Sequence, residues 1–174
     1  TVRYFGRAFP LVNLDLRMNR QQAMDFLERS VELSPGDPDL ISYRARLHTT
    51  CCRRSARSYY AEEYAEDSIR RHPSHDWSYT FILAQTFQLQ MVYDRSLEIL
   101  VDLANSHPNI LRIHRETALV YGMKRDVERG RIYMTAALNI NPNYGASWES
   151  EDSIYDQTGN FQRDMDALRR VGLP

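Results

Sequence analysis

The chain has 174 residues, 43% of them apolar and 26% charged, with a net charge of −1. This is the balance of a globular domain long enough to build a continuous core, and it excludes a global electrostatic pull toward nucleic acid or anionic lipid. No apolar run approaches the roughly 18 residues needed to span a bilayer. With only 7 Gly and 7 Pro, there is little material for long disordered linkers.

Residues 1–19 carry the weakest pattern. Pro10 suits the first turn of a short helix bearing Leu11, Leu14 and Met18, with Phe5 and Phe9 ahead of it. The chain opens on Thr1 rather than Met, as a processed form or part of a longer protein would. From Arg20 to Leu33, Ala23, Phe26, Leu27, Ser30 and Val31 recur at helical spacing. Pro38 then starts a helix that carries Ile41, Ala45 and His48. The expected turn Thr49–Ser55 is long and holds the adjacent Cys51 and Cys52. Neighbouring cysteines seldom close on each other without strain, so they set no disulfide framework and leave the redox compartment open.

The next helix runs through Tyr59, Tyr60, Ala61, Tyr64, Ala65 and Ile69. Its small Ala61 and Ala65 predict a close helix approach. A third pair begins near Trp77 with Leu83, Ala84 and Phe87. It continues through Tyr93, Leu97, Leu100 and Ala104. A fourth runs from Leu111 through Ala118, Tyr121, Gly130 and Ala137. A fifth runs from Gly145 with Trp148, Tyr155 and Gly159, then the stripe Phe161, Met165, Leu168 and Val171.

Punctuation makes the period visible. Ser34-Pro35, His72-Pro73, His107-Pro108 and Asn141-Pro142 each follow a helical pattern, at spacings of 38, 35 and 34 residues. Proline cannot continue a helix and biases its predecessor away from helical geometry, so each marks a helix end. With the small and aromatic positions, this period resembles the tetratricopeptide repeat (TPR), a 34-residue helix–turn–helix unit. The likeness covers Arg20 to Leu173. Other helical-pair repeats, of the half-a-TPR or Sel1-like types, share the features and stay open.

The resemblance implies an all-α, right-handed superhelical α-solenoid of antiparallel helix pairs. Residues 1–19 would form a degenerate N-terminal segment and 20–174 the array, with repeats ending near Pro35, Pro73, Pro108 and Pro142. The last pair, 145–174, departs from the pattern: Glu151-Asp152 replaces a Leu-Gly pair and Asp164 replaces a small residue. Two facing carboxylates buried there need a cation or a partner to compensate them, or a splayed and wet packing. The final helix is polar outside its stripe, as a terminal cap is, so the array is expected to end near Pro174.

The family's usual employment implies a non-catalytic scaffold or adaptor that holds a partner segment in a concave groove. Family geometry places Ser42 and Arg46, then Ser78, Phe81, Gln85 and Gln88, then Arg112, Arg115 and Leu119, then Glu149, Ser153 and Asp156 on that face. Arg46, Phe81, Gln85, Arg112, Arg115, Glu149 and Asp156 are the candidate contacts. Charge reversal at Arg112 and Arg115 is expected to weaken binding with little effect on stability. The plain alternative is that these are solvated helix sides. The Lys/Asn pattern of chaperone-tail binders is absent. A rival reading is a permanent subunit of a larger assembly, with Phe5, Phe9 and Leu11 buried against other chains.

Other chemistries have weaker support. Arg53, Arg54, Arg57, Arg70 and Arg71 beside tyrosines could stack on single-stranded nucleic acid. Glu62, Glu63, Glu66 and Asp67 in the same helix favour i,i+4 ion pairs instead. His72 and His75 straddle Pro73 with no further ligands evident, and the same pre-proline placement of His107 favours a helix-end role over a metal. Asp152, Asp156 and Asp164 match no calcium loop. No nucleophile, phosphate-loop or zinc-protease motif is present. The reading is therefore a protein or peptide partner, no nucleic acid, no membrane insertion, no catalysis, no metal and no cofactor, with the compartment undetermined.

Overall fold

A computed structural model describes residues 16–51, 57–145 and 160–174. Among the described residues there is no strand. The helices are α1 (Leu16–Leu33), α2 (Pro38–Cys51), α3 (Arg57–Arg71), α4 (Trp77–Leu89), α5 (Tyr93–Ser106), α6 (Leu111–Lys124), α7 (Val127–Ile140) and α8 (Asn160–Arg170). The fold is an all-α, TPR-like solenoid. Among the described residues no helix is long and apolar enough to cross a membrane.

One turn recurs at the end of α1, α3, α5 and α7. The residue before each proline donates its N–H to the carbonyl four residues back: Ser34 to Ser30, His72 to Ser68, His107 to Leu103 and Asn141 to Ala137, at 2.8–3.1 Å. Its own carbonyl then accepts from the residue three further on: Asp37, His75, Ile110 and Tyr144, at 3.0–3.2 Å. The proline between lacks an N–H, so it leaves no orphan donor in the bend. Capping follows at once. Asp37 Oδ1 accepts from Asp39 N at 3.0 Å, and Asp76 Oδ1 from Ser78 N at 2.8 Å.

The chain divides into two compact units, Thr1–Gln90 and Met91–Pro174. In the first, α2 and α3 meet through alanines. Ala45, Ala61 and Ala65 are fully buried, and Ala45 and Ala65 share a cluster with Ile82 of α4. Here the expected close approach is met. Arg44 Nη2 lies 2.8 Å from Glu28 of α1 and its guanidinium sits 4.4 Å from the Tyr64 ring centroid, tying three helices together.

In the second unit α6 is the inner helix. Nine of its 14 residues are buried, against three of 14 in α7. The core joins Ala118, Leu119, Met134 and Tyr144 to Met165, Ala167, Leu168, Val171 and Leu173. Helix α8 comes in very close. A Cβ on Gly122 would stand 2.9 Å from the Ala167 carbonyl carbon, and one on Gly130 would stand 3.0 Å from Val171 Cβ. The end of α8 is a Schellman cap: Leu173 N donates to Leu168 O at 3.0 Å and Gly172 N to Arg169 O at 3.2 Å. Gly172 takes the left-handed φ of +105° that this cap needs.

Two boundaries differ from expectation. Helix α1 starts at Leu16 rather than Arg20, and α2 runs on to Cys51 rather than turning at Thr49. Neither stretch contains a Gly or Pro to stop a helix. The N-terminal segment through residue 15, and the Trp148, Tyr155 and Gly159 signature, lie outside the described residues. Asp164 is buried at 5% exposure, with Arg163 of the same helix one cation beside it, at 3.3 Å. Asp152 lies outside the described residues.

Met91 and Arg125 fall 34 residues apart, at the same point of successive repeats, and both adopt a left-handed φ of about 60°. At Arg125 the bonding is again Schellman-like, with Asp126 N to Tyr121 O at 3.0 Å. Only glycine takes this conformation without steric cost. Arg125→Gly should therefore stabilise the fold by about 0.5–1 kcal/mol, after allowing for glycine's greater unfolded-state entropy. Gly122→Ala, which meets backbone, should destabilise it by about 1–3 kcal/mol. Urea denaturation followed by circular dichroism measures both.

Candidate functional site

The inward-facing positions of the first helix of each pair are the place to look. In the first unit Arg46 of α2 is half-buried, while its neighbour Ser42 is buried. Phe81 of α4 is only 2% exposed, packed edge-on against Trp77 at 5.6 Å, and Gln85 is 8% exposed. Gln88 is buried as well. The surface that Phe81 and Gln85 were expected to offer is thus closed, because α4 is covered on most sides: eight of its 13 residues are buried.

In the second unit Arg112 is exposed near the start of α6, and Arg115 lies one turn further. Arg115 is held. Its Nη1 donates to Glu116 Oε2 at 2.6 Å and its Nε to the Tyr144 hydroxyl at 3.2 Å. Glu116 is 2% exposed, so this is a buried ion pair. Glu116 offsets the charge of Arg115, and Arg112 is exposed one turn earlier on the same helix. Such an arrangement suits a partner's carboxylate or carbonyl, received by Arg112 beside a rigid guanidinium.

The expectation that charge reversal at Arg115 would leave stability intact does not survive this geometry. Removing one partner of a buried pair strands the other. Glu116 and Tyr144 were not singled out as sequence, although the Arg115-Glu116 adjacency was a signal. Leu119 is 1% exposed, part of the core beneath α8. Glu149 and Asp156 lie outside the described residues, so their place relative to Arg112 is not described.

Of the two histidines near Pro73, His75 has hydrogen-bond partners, whereas His72 Nδ1 is buried without one. His75 Nδ1 donates to the His72 carbonyl and Nε2 accepts from the Thr80 hydroxyl, each at 2.8 Å. Both ring nitrogens are thereby engaged. Among the described residues no three His, Cys, Asp or Glu side chains gather as a metal site would require. Tyr79 lies between the two imidazoles, 5.8 Å from His72 and 5.4 Å from His75 by ring centroids. Its hydroxyl donates to Asp39. Burial, then the hydrogen bond to Asp39 and its charge, push the Tyr79 phenol far above its usual range.

No family model and no curated protein matches the sequence. Solved structures do. A thermophilic TPR protein of Thermus thermophilus, TTC0263, is similar at 15% identity and a TM-score of 0.69, covering 97% of this chain and 88% of that one. MamA 41-end from Desulfovibrio magneticus RS-1 is similar at 13% identity and a TM-score of 0.64, covering 97% and 91%. The C2221 structure of MamA AMB-1 is similar at 16% identity and a TM-score of 0.61, covering 98% and 95%. At such identities the likeness is one of fold, and the fold is TPR-like.

Two measurements test the local chemistry. Arg115→Ala should cost about 3 kcal/mol or more by leaving Glu116 buried and unpaired, whereas Arg112→Glu should shift stability by less than about 0.5 kcal/mol. Tyr79 has a raised folded-state pKa, so its stabilising contribution is complete below the unfolded value of about 10 and is lost as pH rises through the folded value. Absorbance titration near 295 nm should show a group of late-ionising tyrosines that Tyr79→Phe reduces by one, since burial also raises Tyr43 and Tyr133, and that variant should lose less stability than wild type above about pH 10.

Proposed function

We propose that this chain is a non-catalytic protein-interaction scaffold whose α6 face receives a segment of a partner protein. The reading is supported by the exposed Arg112 beside the braced Arg115, on a fold whose repeated helix pairs serve most often as extended binding surfaces. Arginine is among the residue types that dominate interface energies, most strongly where its guanidinium is already ordered. Arg46 is the corresponding contact proposed for the first unit. Phe81 and Gln85 would act there from beneath the surface, by fixing α4. Glu149 and Asp156 are proposed to add negative charge to the partner site.

A second reading, a fixed subunit of a larger assembly, draws on exposed apolar side chains. Ile132 and Ile140, on one side of α7, are 65% and 38% exposed, and Met91 is 66% exposed. Apolar side chains left in water along one helix mark an interface when they form a contiguous patch.

Crosslinking in the native cells separates the two. A substoichiometric partner crosslinked near Arg112, lost in Arg112→Glu at unchanged melting temperature, is the outcome expected of the scaffold. The same proteins captured by Arg112→Glu in undiminished yield would overturn the α6 assignment. A stoichiometric set of partners crosslinked along α7 would make the chain a fixed subunit.

A further inference from the structure

A second surface lies in the Met91–Pro174 unit, and its lining includes none of Arg112, Arg115, Glu116 and Tyr144. Helix α5 and the α6–α7 turn enclose an open groove of about 510 Å³. Its α5 wall presents Asp94, Leu97, Glu98, Val101 and Asp102. These recur at three- and four-residue intervals, so they form one helical face. Leu97 is buried, Val101 is half-buried, and the buried Tyr121 ring stands opposite. The floor is therefore apolar and the rim charged.

The rim's cations are already committed. Lys124 binds Asp94, and Arg129 Nη2 lies 2.6 Å from Asp126 with its guanidinium 5.3 Å from the Tyr121 centroid. Glu98 and Asp102 have no such partner among the described residues, and both are exposed. Two like charges one turn apart weaken a helix. No described residue pairs with either carboxylate, so α5 keeps a local cost that an external cation would remove. The charge pattern selects the occupant: cationic groups one turn apart for Glu98 and Asp102, and an apolar side chain for the floor of Leu97, Val101 and Tyr121.

We propose that this groove docks a cationic amphipathic helix of another protein, with two Lys or Arg side chains paired to Glu98 and Asp102 and an apolar residue resting on Val101. This is helix-in-groove recognition with electrostatic selection.

The probe is a fluorescein-labelled helical peptide with lysines four residues apart and leucines on the same face. Two companions carry Lys→Glu or Leu→Ser replacements. Anisotropy with the full chain near physiological salt reads affinity. The Lys/Leu peptide should bind and its two companions should not. E98Q/D102N should weaken binding about tenfold, as loss of two charge pairs would, and melt no lower than wild type. E63Q/E66Q, which neutralises two exposed carboxylates of α3, should leave affinity unchanged. Failure of the Lys/Leu peptide to bind, or equal losses in the two double variants, overturns the proposal. So does equal binding of the Leu→Ser peptide, because charge alone would then suffice. Sedimentation is run in parallel, and a wild-type dimer that E98Q/D102N dissolves would assign the groove to a second copy and overturn the partner stated here. Arg112→Glu should leave peptide binding intact, so the result stands or falls apart from the α6 assignment.

Discussion

Everything repeated in this structure depends on one bend. At Ser34, His72, His107 and Asn141 the chain leaves a helix by donating its last helical N–H backward and lending its carbonyl forward, with proline in between. Both hydrogen bonds are backbone to backbone, so the side chain at the bend is free to differ. That is why serine, histidine or asparagine serves at the same point. Because the bend is locally satisfied, each helix ends there without stranding a backbone group. Small residues then decide how near packed helices lie, as Ala45 and Ala65 do between α2 and α3.

Close packing brings an electrostatic obligation. The inner helix α6 is covered on most sides, yet it carries Glu116 at 2% exposure. A carboxylate in that position persists because Arg115, itself held by the Tyr144 hydroxyl, pairs with it. The same logic holds at Asp164, which sits where a small residue is usual and is met by Arg163. Such pairs give little net stability compared with an apolar core, but losing half of one is expensive. Arg115 is thus part of the architecture and of the proposed site together, while Arg112 is the more exposed of the two. In the first unit Arg44 resembles Arg115, since it binds Glu28 and covers Tyr64.

The helices and their ends could be read from residue order. Proline position, helical spacing of Leu, Ala and Tyr, and the placement of Gly130 are local facts, and local geometry follows from them. The shift at Leu16 and the extension to Cys51 arose where no breaker stood, so boundary residues had little to say. Exposure could not be read in the same way. Phe81, Gln85 and Leu119 occupy positions that look outward by repeat register, but each is covered by elements that register alone does not count. The groove beside Glu98 and Asp102 escaped for a related reason. It is made by α5 facing a turn some 25 residues later in the chain.

Residue order is enough to show that this protein is a series of helix pairs, where each pair turns, and that its last helix has one apolar stripe. Those properties depend on contacts within a few residues, where proline geometry and 3.6-residue periodicity govern. Tertiary structure alone decided which charges are buried, which arginine is braced and which is exposed, and where an acidic wall faces an apolar floor. Burial is a property of what lies on the other side of a side chain, and that neighbour comes from distant sequence.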